Sequence, residues 1–558
     1  MAVAFGFTLR AWQDPAHSWT GGPGDSFQFM SFLAWTPHAI AAHQNPLFLS
    51  ALNYPRGANL TWNTAMPLAG VVLWPITAVF GPVIAYNTVV VAAITLDGWC
   101  TFLWLRRHVR SLVAAFAGGL LLALGPFIPA HLTQPSLLSF WPIPLMLITT
   151  ERLVSDTKRP ALWGLVLGVL GAAQLYLASE LVALAAIGIA VTLVVAALLD
   201  AARARHRLRS VLVGLAAAVV VFAVIASPFV LYQLKGPYAI RGPIQPPNTY
   251  VADLQNLVIA TPLTWLWPHS ATDTLTASWT GAAEATAYVG VPLILVALYV
   301  LARWWRERLV LTAFVAAAVM LVLSLGPRLH VGGAETGIPL PAAILGHVPL
   351  LDKMLPVRFA LMAYFGLALL LAITLDRTLF TAPLRCKLPS ALAVAATLST
   401  VSVVALAASS AVVPRYFTTG GQVAALPAGT VALVGPYIDD GGATAVPMLW
   451  QAQADFRFAL IDGLVITGDD QGHPQWLLDS PVRDAFHQIQ VNGTPPDQTA
   501  ALRTSLLAVL RRDRVSTVIL GPMPHRDTAS AFVTWLVGYA PTDTQGVLLW
   551  RTVPPAAS

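Results

Sequence analysis

Charge is what this chain has least of. Of its 558 residues only 10% are Asp, Glu, Lys or Arg, against about a quarter in an ordinary soluble domain, while 56% are hydrophobic and the mean hydropathy is +0.68. That balance excludes a chain dissolved wholly in water, because so much apolar surface needs lipid as its solvent. Cysteine is nearly missing. Cys100 falls inside an apolar run and Cys386 in a basic loop, so neither a disulfide framework nor a cysteine metal site is available. The sequence also lacks a repeat period, a Gly-rich phosphate loop, a Ser-His-Asp spacing and a His-x-x-x-His pair, which removes solenoids, P-loop enzymes, triad hydrolases and zincin-type proteases from consideration.

The charge that is present is unevenly placed. Residues 1–413 carry 14 of the 26 acidic residues and the much shorter segment 414–558 carries 12, which divides the chain near Val413 into a membrane domain and an extracytoplasmic soluble domain. The net charge of +6 could suggest nucleic acid, but the basic residues collect in short clusters between apolar runs, as topology signals do; no nucleic-acid partner is implied. Apolar runs near 83–105, 111–129, 138–152, 161–178, 181–200, 210–232, 286–303, 309–326, 357–375 and 389–413 predict about 10–11 membrane helices, counting a stub at Met1 to Leu9 that is too short to span. Five basic stretches separate them: Arg106/Arg107/Arg110, Arg152/Lys158/Arg159, Arg203/Arg205/Arg207/Arg209, Arg303/Arg306/Arg308 and Arg377/Arg385/Lys387. Threaded in order, all five fall on one side, which the positive-inside rule makes cytoplasmic. The loops 13–82, 233–285 and 327–356 and the C-terminal tail are then outside.

In the tail, Thr430 to Gly435 and Ser516 to Leu520 read as strands and Gln498 to Arg511 as a helix, so the C-terminal domain is expected to be α/β. The Asp439–Gly442 and Asp469–Asp470 stretches read as turns. Trp450, Trp476, Trp535 and Trp550 are either core or a glycan-binding surface.

Carboxylates inside apolar spans are expensive and therefore candidates for function: Asp97 and Glu180 qualify, with polar anchoring between helices as the alternative. The outer loops offer Asp14, Asp25, Asp253, Asp273, Glu284, Glu335 and Asp352 as acids, and Arg56, Lys235, Arg241, Arg328, Lys353 and Arg358 as bases. Asp25 lies in Gly-Gly-Pro-Gly-Asp-Ser ahead of an aromatic-rich segment, Phe27 to Ala42, that reads as an amphipathic helix on the membrane surface. From the residues alone it is either a helix N-cap or a side chain aimed by the turn.

The motifs Gly24-Asp25-Ser26-Phe27-Gln28-Phe29, Trp35-Thr36-Pro37-His38, Asn45-Pro46-Leu47-Phe48, Tyr54-Pro55-Arg56-Gly57 and Phe80-Gly81-Pro82-Val83, with Leu325-Gly326-Pro327 and Leu355-Pro356-Val357-Arg358-Phe359, resemble bacterial membrane glycosyltransferases of the GT-C superfamily, in the RgtA/B/C/D-like and protein-mannosyltransferase-like group. The resemblance implies an α-helical polytopic GT-C-like membrane protein that moves a sugar from a polyprenyl-phosphate donor to a glycan, lipid or protein acceptor with inversion. It puts the catalytic carboxylate at Asp25, as general base. Arg358 is the first choice for the lipid phosphate, followed by Lys353 and Arg56, an interfacial anchor being the alternative role. His131 and Gln134 at a helix end, with Glu180 and Glu284, complete the expected substrate-binding set. The first loop has no Asp-x-Asp or Glu-x-Asp pair, and one carboxylate makes a poor divalent site, so a metal-independent reaction is expected.

Two other functions fit parts of the sequence. A transporter or lipid flippase would use Asp97 and Glu180 to line a polar path. A non-catalytic envelope assembly protein would work through the C-terminal domain.

Overall fold

The computed structural model describes residues 1–264, 276–279, 284–379, 388–401, 406–439 and 444–551, so Cys386, Asp273, Arg385, Lys387 and most of the Asp439–Gly442 turn lie outside the described residues. Among the described residues, seven helices are long and apolar enough to cross a membrane: Pro82–Leu105, Leu112–Ala130 (broken after Ala123), Pro135–Ser155 (broken after Leu138), Pro160–Leu177, Ser179–Leu199, Ala201–Lys235 and Pro356–Thr378. Three shorter apolar helices, Val291–Trp304, Arg308–Ser324 and Leu388–Thr400, complete the ten segments expected from hydropathy. One expectation is corrected. The segment 389–413 does not stay helical to its end: the helix stops at Thr400, and Ala408–Ser410 forms an antiparallel strand pair with Ser18–Thr20.

The chain forms two compact units that interleave along the sequence: residues 1–7, 90–228 and 242–406 form one, and residues 8–89, 229–241 and 407–558 the other.

The first unit is helical. Helix Phe359–Thr378 is buried along nearly its whole length, which its apolar character all round the helix permits. Small residues let its neighbours approach closely. An added Cβ at Gly118 would meet the backbone oxygen of Ala368 at 3.1 Å, and one at Gly366 that of Ala313 at 2.7 Å. Helices Pro160–Leu177 and Ala201–Lys235 meet through the pair Gly164 and Gly168, a small-xxx-small spacing. A Cβ at Gly168 would lie 2.6 Å from the backbone oxygen of Ala218, and one at Gly164 would collide with that of Gly214. Gly164→Val is therefore expected to cost about 1–3 kcal/mol, the usual price of overpacking. Gly6→Ala is the control, since nothing lies within 4 Å of a Cβ there. Thermal unfolding of the detergent-solubilised variants checks this, and equal midpoints would count against a tight helix pair.

The basic stretches gather at one end of this unit. Arg107 and His108 reach Glu151, each at 2.8 Å. Asp376 accepts from the backbone of Arg110 and Ser111 at 2.9 and 2.6 Å. Arg377 makes a two-pronged pair with Glu307 at 2.7 Å, Arg308 pairs with Asp200, and Arg207 donates to the Val154 carbonyl at 2.5 Å. Among the described residues, members or direct neighbours of all five stretches are joined through these contacts into one basic end of the helical unit.

The second unit combines the first long loop with the C-terminal segment. Its five-stranded sheet has the order Thr542–Thr544, Val547–Trp550, Thr517–Leu520, Val431–Gly435, Ala459–Leu460. The central pair is parallel, with Val518 opposite Leu433, and its flank toward Val547–Trp550 is antiparallel. Central strands buried on both faces read as continuous apolar runs, as these do. Helices Pro481–Asn492, Ala500–Arg512 and Arg526–Val537 cover the sheet, and Leu433, Val518, Phe486 and Phe532 are fully buried between them, each contributing about 1.5–3 kcal/mol. Trp450 and Trp550 are core residues: Trp450 stacks on Phe417 with centroids 5.2 Å apart, and Trp550 donates from its ring to the Tyr539 carbonyl at 3.0 Å. Of the four tryptophans considered for a glycan surface, Trp476 is exposed.

The segment Phe27–Ala42 does not lie on a surface, which corrects the amphipathic reading. The helix runs Asp25–Ala41 and buries Ser26 through Pro37 and Ala39 inside the unit. Gln28 donates to the Leu464 carbonyl, Trp35 packs edge-on against Phe456 at 5.1 Å, and His38 meets Asp455 at 2.8 Å.

Directly after strand Ala459–Leu460, Asp462 is 5% exposed, and its Oδ2 accepts from the Ile438 N–H at 3.1 Å. Burial pushes its carboxyl up to about 7, the Ile438 hydrogen bond opposing. An acid whose folded pKa is raised contributes stability that is complete below its unfolded value near 4 and is lost as pH rises through the folded value. Apparent melting temperature should therefore fall between about pH 4 and pH 7, with a total effect on the order of 4 kcal/mol. Asp462→Asn should flatten that slope and be the more stable form at pH 8; parallel profiles would contradict the assignment.

Candidate functional site

Four residues named from the sequence converge in the helical unit. Arg358 stands in the 3-10 turn Pro356–Arg358 that opens the buried helix, Glu180 in the first turn of Ser179–Leu199, His131 just after Phe127–Ala130, and Glu284 in the loop before Val291–Trp304. Arg358 donates Nε and Nη2 to the two oxygens of Glu284 at 2.9 and 2.6 Å, and Nη1 to Glu180. The planar fork of a guanidinium suits this two-pronged geometry, which an ammonium could not reproduce. The other Glu180 oxygen accepts the Leu355 N–H at 2.9 Å, which ties the turn down. His131 donates Nδ1–H to the Phe127 carbonyl at 2.8 Å, leaving Nε2 facing Glu284 at 3.5 Å, beyond good hydrogen-bond range. Side-chain exposures run from 1% for His131 to 16% for Glu180, so the group is shielded from water. Burial raises the Glu284 carboxyl, but the Arg358 charge, with His131, outweighs it and holds it below the usual carboxylate range. With one guanidinium between two carboxylates, Arg358 meets carboxylate partners on each of its three nitrogens.

Gln134 follows within a turn of His131, its N–H bonded to the His131 carbonyl at 2.9 Å. Lys353 pairs with Asp352, both oxygens at 3.1 Å. Asp97 is fully buried, and the N–H groups of Phe140 and Trp141 approach it without an ordinary hydrogen bond.

Asp25 and Arg56 belong to the other unit. Asp25 is half-buried at the first position of helix Asp25–Ala41. Gly24 before it has φ +84°, a conformation only glycine adopts cheaply, so the turn fixes where the Asp25 carboxylate starts. The N-terminal end of the helix favours a negative charge there. Ser26 beside it donates to the Gly22 carbonyl at 2.8 Å and meets the Tyr86 hydroxyl at 3.0 Å, and Asp25 lies within electrostatic reach of that phenol. A carboxylate so placed can accept a proton from a hydroxyl brought to the helix end. Arg56 lies over the Tyr238 ring at 4.5 Å and donates to the Gly468 carbonyl at 3.1 Å.

Residues 1–351 match a family model described as a domain of unknown function, DUF6311. The chain belongs to the DUF6311 family. The matched region of this DUF6311 chain holds Asp25, Arg56, His131, Gln134, Glu180 and Glu284, while Lys353 and Arg358 lie just beyond it. No curated protein matches the sequence. Among solved structures, the arabinofuranosyltransferase AftD from Mycobacteria aligns with a TM-score of 0.52 at 16% identity, over 100% of this chain and 40% of AftD. The DUF6311 chain thus spans about two fifths of the AftD length. The archaeal oligosaccharyltransferase AglB from Archaeoglobus fulgidus, solved with an inhibitory peptide and a dolichol-phosphate, aligns at 12% identity over 97% of this chain and 70% of its own, with a TM-score of 0.47. The AftD alignment gives the fold alone: the chain is folded like AftD, with a helical unit whose long apolar helices suit a membrane and a C-terminal α/β region.

Sequence reasoning missed Asp462 and Asn53. The signal for Asp462 was available: it is a lone acid inside the apolar run Phe458 to Ile466.

Proposed function

We propose that the chain is a membrane glycosyltransferase that moves a sugar from a polyprenyl-phosphate donor to an extracytoplasmic glycan, lipid or protein acceptor, with inversion. The observation that carries this reading is a half-buried carboxylate, Asp25, set by a glycine turn at the head of a buried helix in a chain of GT-C fold. The arabinofuranosyltransferase name of the structure that aligns along the whole chain supports glycosyl transfer as the reaction class. Asp25 takes the acceptor hydroxyl proton as that oxygen attacks the anomeric carbon, and the sugar–phosphate bond breaks to leave polyprenyl phosphate. The joined basic end of the helical unit supports a cytoplasmic assignment for that end under the positive-inside rule, and the outer loops and C-terminal region are assigned to the opposite side.

Arg358 has a different role here from the phosphate contact expected of it. Held by Glu180 and Glu284, it acts as a positioning residue that fixes the turn 355–358, and Lys353 and Gln134 are the residues of that unit left to meet the donor. No divalent ion is assigned to the step, because one isolated carboxylate in the first loop holds such an ion poorly.

The test is incubation of the purified full-length protein with a panel of polyprenyl-phosphate sugars and acceptor saccharides, following release of polyprenyl phosphate. Release with at least one donor is expected. No release with any of them, from protein whose fold is intact, would overturn the assignment.

A further inference from the structure

The second unit holds a cavity of about 370 Å³ between the segment 53–56 and the C-terminal α/β region, at the small end of the range for ligand pockets. Two of its lining side chains are more than nine-tenths buried and incompletely satisfied among the described residues. Asn53 is 1% exposed, and neither its amide oxygen nor its amide nitrogen has a partner. Asp462 uses one oxygen on Ile438 and leaves Oδ1 without a partner. A buried polar atom without a partner costs about 1–3 kcal/mol, so such a group in a cavity wall calls for a ligand that bonds to it.

The lining also says what kind of ligand. Three arginines and three aspartates face the cavity, and the arginines are already engaged: Arg483 with Asp479 at 3.4 Å, Arg512 with Asp513 at 2.7 and 2.9 Å, Arg56 with Asp470 at 3.6 Å. The wall therefore has no surplus charge to attract a phosphate or a cation. What it offers is an amide with one donor side and one acceptor side, next to a carboxyl group that accepts when ionised and can also donate when protonated, which matches neighbouring hydroxyls on one ring.

We propose that this cavity is a saccharide-binding subsite for an uncharged sugar of the acceptor, held by Asn53 and Asp462. The acceptor part of this assignment rests on the glycosyl-transfer reading; the sugar-binding part does not.

The experiment uses the full-length chain in detergent and saturation-transfer NMR, with methyl glycosides and disaccharides of neutral pentoses and hexoses as probes and inorganic phosphate and methyl glucuronide as anionic competitors. At least one neutral disaccharide should bind saturably and resist displacement by both anions. Asn53→Gly deletes the amide while keeping the left-handed backbone at φ +50°, and should weaken binding about tenfold at an unchanged melting temperature. Asp462→Asn keeps the shape and should also weaken binding; it decides the matter if Asn53→Gly does not fold. In the transfer assay, Asn53→Gly should raise the acceptor KM about tenfold and leave kcat alone. The site is overturned if no neutral sugar binds the unmodified chain, if phosphate displaces the sugar, or if the folded variants bind as tightly as the parent. Sugar binding without any transfer overturns the enzymatic reading and keeps the site, whereas transfer with an unaltered acceptor KM in Asn53→Gly keeps the enzyme and removes the site.

Discussion

Asp25→Asn is expected to slow glycosyl transfer by about 10²–10⁴-fold, the usual contribution of a positioned general base, with little change in stability. Asn is nearly isosteric and is well tolerated at a helix start, so the helix Asp25–Ala41 should persist. What is lost is the ability to accept the hydroxyl proton. Initial rates of polyprenyl-phosphate release, measured beside the melting temperature of the same preparation, separate a chemical defect from a folding one. A variant that keeps its rate within a few-fold of the parent would end the base assignment. Asp97→Asn and Glu180→Gln form the contrasting pair, because a transport mechanism makes those two the sensitive positions and leaves Asp25→Asn active.

The second large effect is on stability. Arg358→Ala leaves Glu180 and Glu284 without the cation between them, in a setting where their side chains are 16% and 12% exposed. Removing one partner of a buried ion group costs about 3–5 kcal/mol, since the remaining charges stay desolvated and unpaired. Glu180→Gln and Glu284→Gln together with Arg358→Met should recover much of that loss, because no buried charge of the trio remains. Thermal unfolding across the single and triple variants tests this, and a mild single-variant effect would mean that the guanidinium carries little of the structure. The acid side of the profile follows from the lowered Glu284 carboxyl: its stabilisation is complete above its unfolded pKa and fades only as pH falls through the depressed folded value.

Composition and apolar run length were enough to find the ten helical segments, because burial in lipid requires whole turns of uncharged residues and leaves little room for ambiguity. The strands Val431–Gly435 and Thr517–Leu520 were equally legible, being continuous apolar runs of the length a buried strand needs. Pairing was not legible. The positions 131, 180, 284 and 358 share no period, so nothing local announces that a guanidinium at the last of them is clasped by carboxylates from two others. The helix after Asp25 was misplaced onto a surface for the same reason: its partners Leu464 and Phe456 lie more than 400 residues along the chain.

That separation has a bearing on how the molecule is made. The segment 8–89 leaves the ribosome early, yet the surface that receives its central helix begins at Ala407 and is among the last parts synthesised. Roughly 300 residues come between them, which at about 5–20 residues per second is on the order of 15–60 s of elongation. Through that interval Gln28 and Trp35 lack their late partners Leu464 and Phe456, so the face of the helix that they occupy is the one for which a chaperone or a temporary lipid berth matters most during biogenesis, and chains released early would strand it unprotected.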